Sequence, residues 1–307
     1  MKTEIDIFID NYPSYDFSDE ELIHKHIGRF LFTLNQNADS ILKNDLSEKS
    51  QNDFQQLKRN NDLQSLALYN YIIRRIFYRV ETDYIEKKKL SDYLSILHRM
   101  IFKSITKLSA IITLYCSENY ADCYSIYRNI YEHFILFSYI LKNEDVSKAF
   151  VDHAFMSYYL LLQINDKADD IAKEKLAQYI KDYGETFKHE YGWANKKLNK
   201  QNKVLLTDLI NGCENKDLID SFKFSYNYAC KFVHASSYAS FTDNDDIAYI
   251  STLIRNIIEM IQYELCTFFN CLKMVTKDKV LLNKLVNEFS KLSIECIKHF
   301  EKKMAKS

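Results

Sequence analysis

Apolar residues return every three or four positions along most of this chain, the pattern of amphipathic helices. In residues 62–86, Leu66, Tyr69, Ile72, Ile73, Ile76 and Phe77 share one helical face. Ser91 is placed to open a second helix that reaches about Ser117. A third spans about Tyr120 to Leu141, and a fourth begins at Asp145 and runs through Asn165. The polar stretch NDKADDIAKEKLAQYIKDYGE reads as a shorter, exposed helix, and further helices are expected at about 203–211, 216–238, 244–275 and 277–303. Near the start, Ser18 and Glu21 form a capping-box pattern ahead of Leu22, Ile23, His26, Ile27 and Phe30. Before them, Ile5, Ile7 and Ile9 alternate with Asp6 and Asp10 around Phe8. Residues 1–17 therefore read as an N-terminal arm laid on the bundle or on a partner subunit, or as an ordinary packed tail.

The stretch GETFKHEYGWANKKLNKQN, residues 184–202, holds Gly184, Gly192 and the single tryptophan, Trp193. It is the expected break between the two halves of the chain. The expected organisation is all-α: an arm over 1–17, a bundle over 18–183 and a C-terminal helical part over 184–307 packed on it. These make one elaborated bundle or two abutting halves.

Composition sharpens the picture by exclusion. One proline and four glycines in 307 residues leave too few turn residues for a mostly-β protein. Four scattered glycines also cannot assemble a phosphate-binding loop. A formal charge of −1 confines any contact with a polyanion to local patches: RRIFYR at 74–79, EKKKL at 86–90 or KKLNKQNK at 196–203. Solvated helix faces explain such runs as well. The seven cysteines include no CxxC pair, which fits buried thiols in a reducing compartment. Acids near the N-terminus argue against a signal peptide, and the apolar runs are far short of a membrane span. A cytoplasmic protein with no membrane partner is expected.

The unusual chemistry lies in YSIYRNIYEHFILFSYIL, where Arg128, Asn129, Glu132 and His133 interrupt an oily helix. Each residue turns a helix by about 100°, so Arg128 and Glu132 share a face, as do Asn129 and His133. Arg128 and His133 stand roughly 140° apart. A structural reading makes Arg128–Glu132 a helix-internal ion pair and His133 a core histidine. Burying these groups unpaired costs several kcal/mol, so chains keep them for networks, interfaces or catalysis. A second string, RNIIEM, occurs at 255–260 with Met in place of His. Its flanks match those of the first at only a few positions, so coincidence explains it better than duplication.

R-N-x-x-x-H on a helix of an all-α, glycine-poor chain resembles the signature of the HEPN superfamily, many of whose members are metal-independent ribonucleases of bacterial toxin–antitoxin, abortive-infection and CRISPR systems. The resemblance implies that Arg128 and His133 are catalytic and that two such motifs meet in a homodimer with the 120–141 helix near its two-fold axis. RNA would be the substrate, an antitoxin or regulatory protein a further partner, and no cofactor or metal would be needed. In that chemistry a histidine takes the ribose 2′-OH proton, and a guanidinium steadies the charge growing on the phosphate. Asn129 would hold the imidazole or the phosphate, while Tyr127 and Tyr131 could stack on bases or fill the core.

A second resemblance covers about residues 105–240. The order RNIYEHFILFSYIL, Trp193, then YNYACKFVHASS is similar to a bacterial family of unknown function with an R-x-x-x-E helix and a V-H-x-S helix. It implies that Arg128, Glu132, His234 and Ser236 are the shared polar residues. Neither a metal-binding H-E-x-x-H nor a G-x-S-x-G nucleophile setting occurs. Two functions follow as expectations: a HEPN-like endoribonuclease, or a non-enzymatic helical module binding a protein or nucleotide.

Overall fold

A computed structural model of the chain describes residues 61–85, 90–117, 119–233, 247–272, 274 and 276–304, and every regular element among them is helical. The all-α expectation is met. The arm over 1–17 and the helix expected after Ser18 lie outside the described residues. Among those described, no helix is long and apolar enough to cross a membrane.

Short polar side chains set the helix ends. Helix α1 spans Asn61–Val80 and passes into a wider π-type turn over Glu81–Ile85. There the Thr82 hydroxyl donates to the carbonyl of Tyr78 at 3.1 Å, a local bond that competes with the regular ladder. Helix α2 spans Asp92–Cys116, and the Ser91 hydroxyl accepts from the N–H of Leu94 at its start. Helix α3 covers Tyr120–Lys142. Asn119 precedes it, accepting from the N–H of Asp122 and donating to the Asp122 carboxylate. At its far end the side chain of Asn143 donates to the Tyr139 carbonyl at 2.9 Å.

Next come α4 (Ser147–Ile164), α5 (Asp170–Tyr183), the single turn α6 (Asn195–Leu198), α7 (Leu206–Gly212), α8 (Lys216–Ser221), α9 (Lys223–Val233), α10 (Ile247–Cys271) and α11 (Thr276–Met304). The single helix expected over 216–238 is divided at Phe222. The Ser221 hydroxyl takes the carbonyl of Leu218 at 2.6 Å, and the Phe222 N–H makes a tight three-residue bond to Ile219. Burial of the Phe222 ring, edge-on to Phe134, anchors that turn.

The chain forms two compact units. Among the described residues, one gathers those up to 85, 101–131 and those from 225 onward. Its core includes Tyr69, Ile73, Leu108, Tyr127, Ile130, Ile257, Ile261 and Phe289, with α11 packed along α10 and α1. The other gathers 90–100 and 132–224. Its core is built from Phe134, Ile135, Phe137, Tyr139, Phe187, Trp193, Leu209 and Ile219. Residues 184–202, the break expected from the sequence, lie inside this second unit. Gly184 takes a φ of +90° to end α5, and Gly192 lies so close to the backbone of Thr186 and Phe187 that a Cβ would collide with both. Trp193 is buried there, with Tyr139 and Phe150 edge-on to its ring.

Candidate functional site

Helix α3 is buried around most of its circumference. Tyr124, Tyr127, Ile130, Tyr131, Phe134, Ile135 and Phe137 are all enclosed. One stripe is not: Asp122, Ser125, Asn129, Glu132, His133 and Leu136 keep some exposure, at the spacing of a single helical face. Arg128, half-buried, stands at the edge of that stripe. The four polar residues of RNIYEH therefore occupy the water-facing arc of an otherwise apolar helix. This eases the desolvation problem posed by the sequence, since each residue keeps some exposure, while Nδ1 of His133 is itself buried.

Asn129 is the exposed centre of the arc, and its side-chain oxygen accepts a hydrogen bond from the ammonium of Lys107 on α2. Asn129 and Lys107 belong to the same compact unit. Glu132 lies one turn beyond Arg128, and His133 one turn beyond Asn129.

The two tyrosines serve packing. Tyr127 is fully enclosed, and its hydroxyl accepts from the Asn256 amide at 3.2 Å. Burial pushes its phenol well above the ordinary tyrosine range, only partly offset by hydrogen bonds from Asn256 and Ser225. Tyr131 is stacked on Tyr226 with ring centres 4.6 Å apart. Of the two uses open to Tyr127 and Tyr131, stacking on bases or filling the core, the structure shows both rings packed in the core.

Helix α9 runs antiparallel to the first half of α3. Tyr226 meets Tyr131, and two turns later Phe232 stacks on Tyr124 at 4.2 Å, with Tyr228 and Tyr249 completing the aromatic cluster. The strongest feature of the YNYACKFVHASS segment is thus its fit to the motif helix. His234 and Ser236, the polar pair of that segment, lie outside the described residues, as do His24 and His26. His153 is in the second unit, where Nε2 donates to the carbonyl of His189 at 2.8 Å and burial lowers its pKa. In the basic run at 196–203, Lys197 pairs with Asp145 at 2.9 Å and Lys200 with Asp208 at 2.6 Å, the behaviour of a solvated face. Among the described residues, no three His, Cys, Asp or Glu side chains gather as a metal-ligand set.

Sequence reasoning missed two polar residues, one bonded to the motif and one behind α2. One is Lys107; the other is Glu264 on α10, fully buried, with neither carboxyl oxygen in a hydrogen bond of normal geometry among the described residues. The Ser104 hydroxyl and the Lys107 charge both favour its ionised form, yet burial dominates and pushes the carboxyl up to about 8. A signal was present for each. Lys107 is a lone cation in ITKLSAIITL, and Glu264 a lone acid in MIQYELCTFF.

These features define a class: an all-helical protein whose central apolar helix carries a polar, water-facing stripe. Residues 94–249 match the model of a family of unknown function, DUF5677, over just over half of the chain, and the chain belongs to that family. The matched span takes in Lys107, the whole of RNIYEH and α9. No curated protein and no solved structure matches the chain.

Proposed function

We propose that this protein is a HEPN-like, metal-independent endoribonuclease acting in bacterial defence, abortive infection or a toxin system. The observation that carries the reading is the placement of Arg128, Asn129, Glu132 and His133 on the accessible arc of α3. Arg128 and His133 both keep some exposure, about 140° apart around α3. In this reading His133 takes the proton of a ribose 2′-OH, whose oxygen attacks the adjacent phosphorus while the 5′-oxygen leaves. Arg128 steadies the negative charge on the non-bridging oxygens through paired N–H donors. A second copy of the chain supplies a second Arg128 and His133, with α3 near the two-fold axis, so that one histidine withdraws a proton while the other returns one to the leaving oxygen.

The test is cleavage of a fluorescent single-stranded RNA, or growth arrest on expression, by the parent and by Arg128→Ala and His133→Ala. Each substitution is expected to lower cleavage by about 100-fold or more with helical circular dichroism intact. Undiminished cleavage by both variants would overturn the assignment.

A second reading, a non-enzymatic protein-binding module, is favoured by α4. Phe155, Tyr158, Leu161 and Ile164 on that helix are each more than half exposed, a density of apolar side chains unusual for an uncommitted surface. Under that reading neither the parent nor the variants cut RNA.

A further inference from the structure

We propose that Lys107 is a further residue of the same site, positioning Asn129 and offering a second cation to the RNA phosphate, and that the buried acid Glu264 behind it controls whether it stays there. The proposal rests on the ribonuclease reading.

Two of the groups around Lys107 bear on the site. The Lys107 ammonium donates to the side-chain oxygen of Asn129, which places a positive charge at the middle of the accessible arc. The other group lies inward. Ser104, one turn earlier on α2, sits beside the buried Glu264 carboxyl, and the Lys107 charge is felt there as well. A lysine next to an ionised, fully enclosed carboxylate would be drawn to it strongly, because charges attract far more in a dry interior than at a surface. Asn129 is a neutral acceptor and would lose that competition. The observed bond to Asn129 therefore fits a Glu264 that carries its proton.

The other groups around this acid are quiet at ordinary pH. Tyr69 on α1 is fully buried and hydrogen-bonded to Ser290 on α11, and burial raises its phenol far above the usual range. Cys266, on the same helix as Glu264, is pushed up to about 11 by burial. Between neutral and mildly alkaline pH, Glu264 is the one of these three that changes charge. Its ionisation would pull Lys107 off Asn129 and weaken the site.

The experiment uses the full chain and the same RNA. Lys107→Ala is expected to lower kcat/KM by about tenfold, the loss of one charge-assisted hydrogen bond, and Lys107→Arg to recover most of it. RNA binding by Lys107→Ala should depend less on salt, its log–log slope falling by about 0.7. The parent's rate should decline between about pH 7 and about pH 9, and Glu264→Gln should remove that decline. A Lys107→Ala protein that binds and cuts as the parent does, or a Glu264→Gln protein with the parent's alkaline decline, overturns the proposal. If Arg128→Ala and His133→Ala abolish cleavage while Lys107→Ala does not, this inference alone falls. If the parent leaves RNA intact, the ribonuclease reading falls and takes this one with it.

Discussion

The string R-N-I-x-E occurs twice, at Arg128–Glu132 on α3 and Arg255–Glu259 on α10, and the two helices present it differently. On α3 Asn129 is exposed and receives Lys107. On α10 Asn256 is only 7% exposed, and its amide donates to Tyr127 and Ser225. The arginine and glutamate are half-buried in both copies. The sixth position completes the contrast: His133 keeps some exposure, while Met260 has none. A short string sets only the relative angles of its side chains; its apolar neighbours decide which angle meets water. Tyr127, Ile130, Tyr131, Phe134 and Ile135 turn α3 so that Asn129 faces out. Ile257, Ile258, Ile261 and Leu265 turn α10 so that Arg255 and Glu259 face out while Asn256 and Glu264 face in.

The largest effect that sharpens this contrast is on activity. Arg128→Ala should lose about 100-fold or more in RNA cleavage, and Arg255→Ala should stay near the parent, because only the first copy carries a histidine on its open arc. Equal losses in the two variants would break the comparison.

Glu264 gives a pH-dependent counterpart on stability. Its folded-state value of about 8 lies above the ordinary 4.5 of the unfolded chain, so the folded state keeps a proton that the unfolded state releases between those limits. The parent's stability should therefore fall as pH rises through that window, by at most about 1.4 kcal/mol per pH unit, and level off above it. Glu264→Gln cannot ionise, so its advantage over the parent should widen from about pH 5 to about pH 8 in urea titrations. A gap that stays constant across that range would mean the carboxyl is not held neutral.

Met260→His tests whether the second copy could serve as a site. The methionine is fully enclosed, so an imidazole there loses water without a prepared partner, at a cost of about 2 kcal/mol or more. Urea unfolding should register that cost, and no cleavage should be gained. His133→Met, at a position that keeps some exposure, should cost less stability than Met260→His while removing cleavage.

Much of the fold was legible because its signals are local. Ser91, Asn119 and Asn143 bracket α2 and α3, and the expected ends fall within a residue or two of those observed. The division at Phe222 was not legible, since it depends on Phe134, some ninety positions earlier, receiving the ring. The same holds for the site. RNIYEH could be read from one helical turn, including the faces its members share. The rotation that sends Asn129 outward and Tyr127 inward depends on α9 and α10. Lys107 and Glu264 were missed for the same reason, since only the packing of α2 with its neighbours brings Lys107 to Asn129 and Ser104 to Glu264.

The finest discriminator is the pair of asparagines themselves, which share the same preceding and following residues. Asn256→Ala leaves a buried tyrosine hydroxyl and a buried serine without their common donor. Groups stranded in this way cost about 1–3 kcal/mol, and no solvent reaches Tyr127 to compensate. Asn129→Ala removes an exposed bond that water replaces on both Lys107 and the backbone arc, so its stability cost should stay below about 0.5 kcal/mol. Alanine also favours the helix over asparagine by a few tenths of a kcal/mol at either position, which cancels in the comparison. Paired urea titrations at one pH therefore read the difference in burial alone. Equal midpoints for the two variants would mean that the two copies of the string are not turned differently, and the accessible arc on α3 would lose its claim to be special.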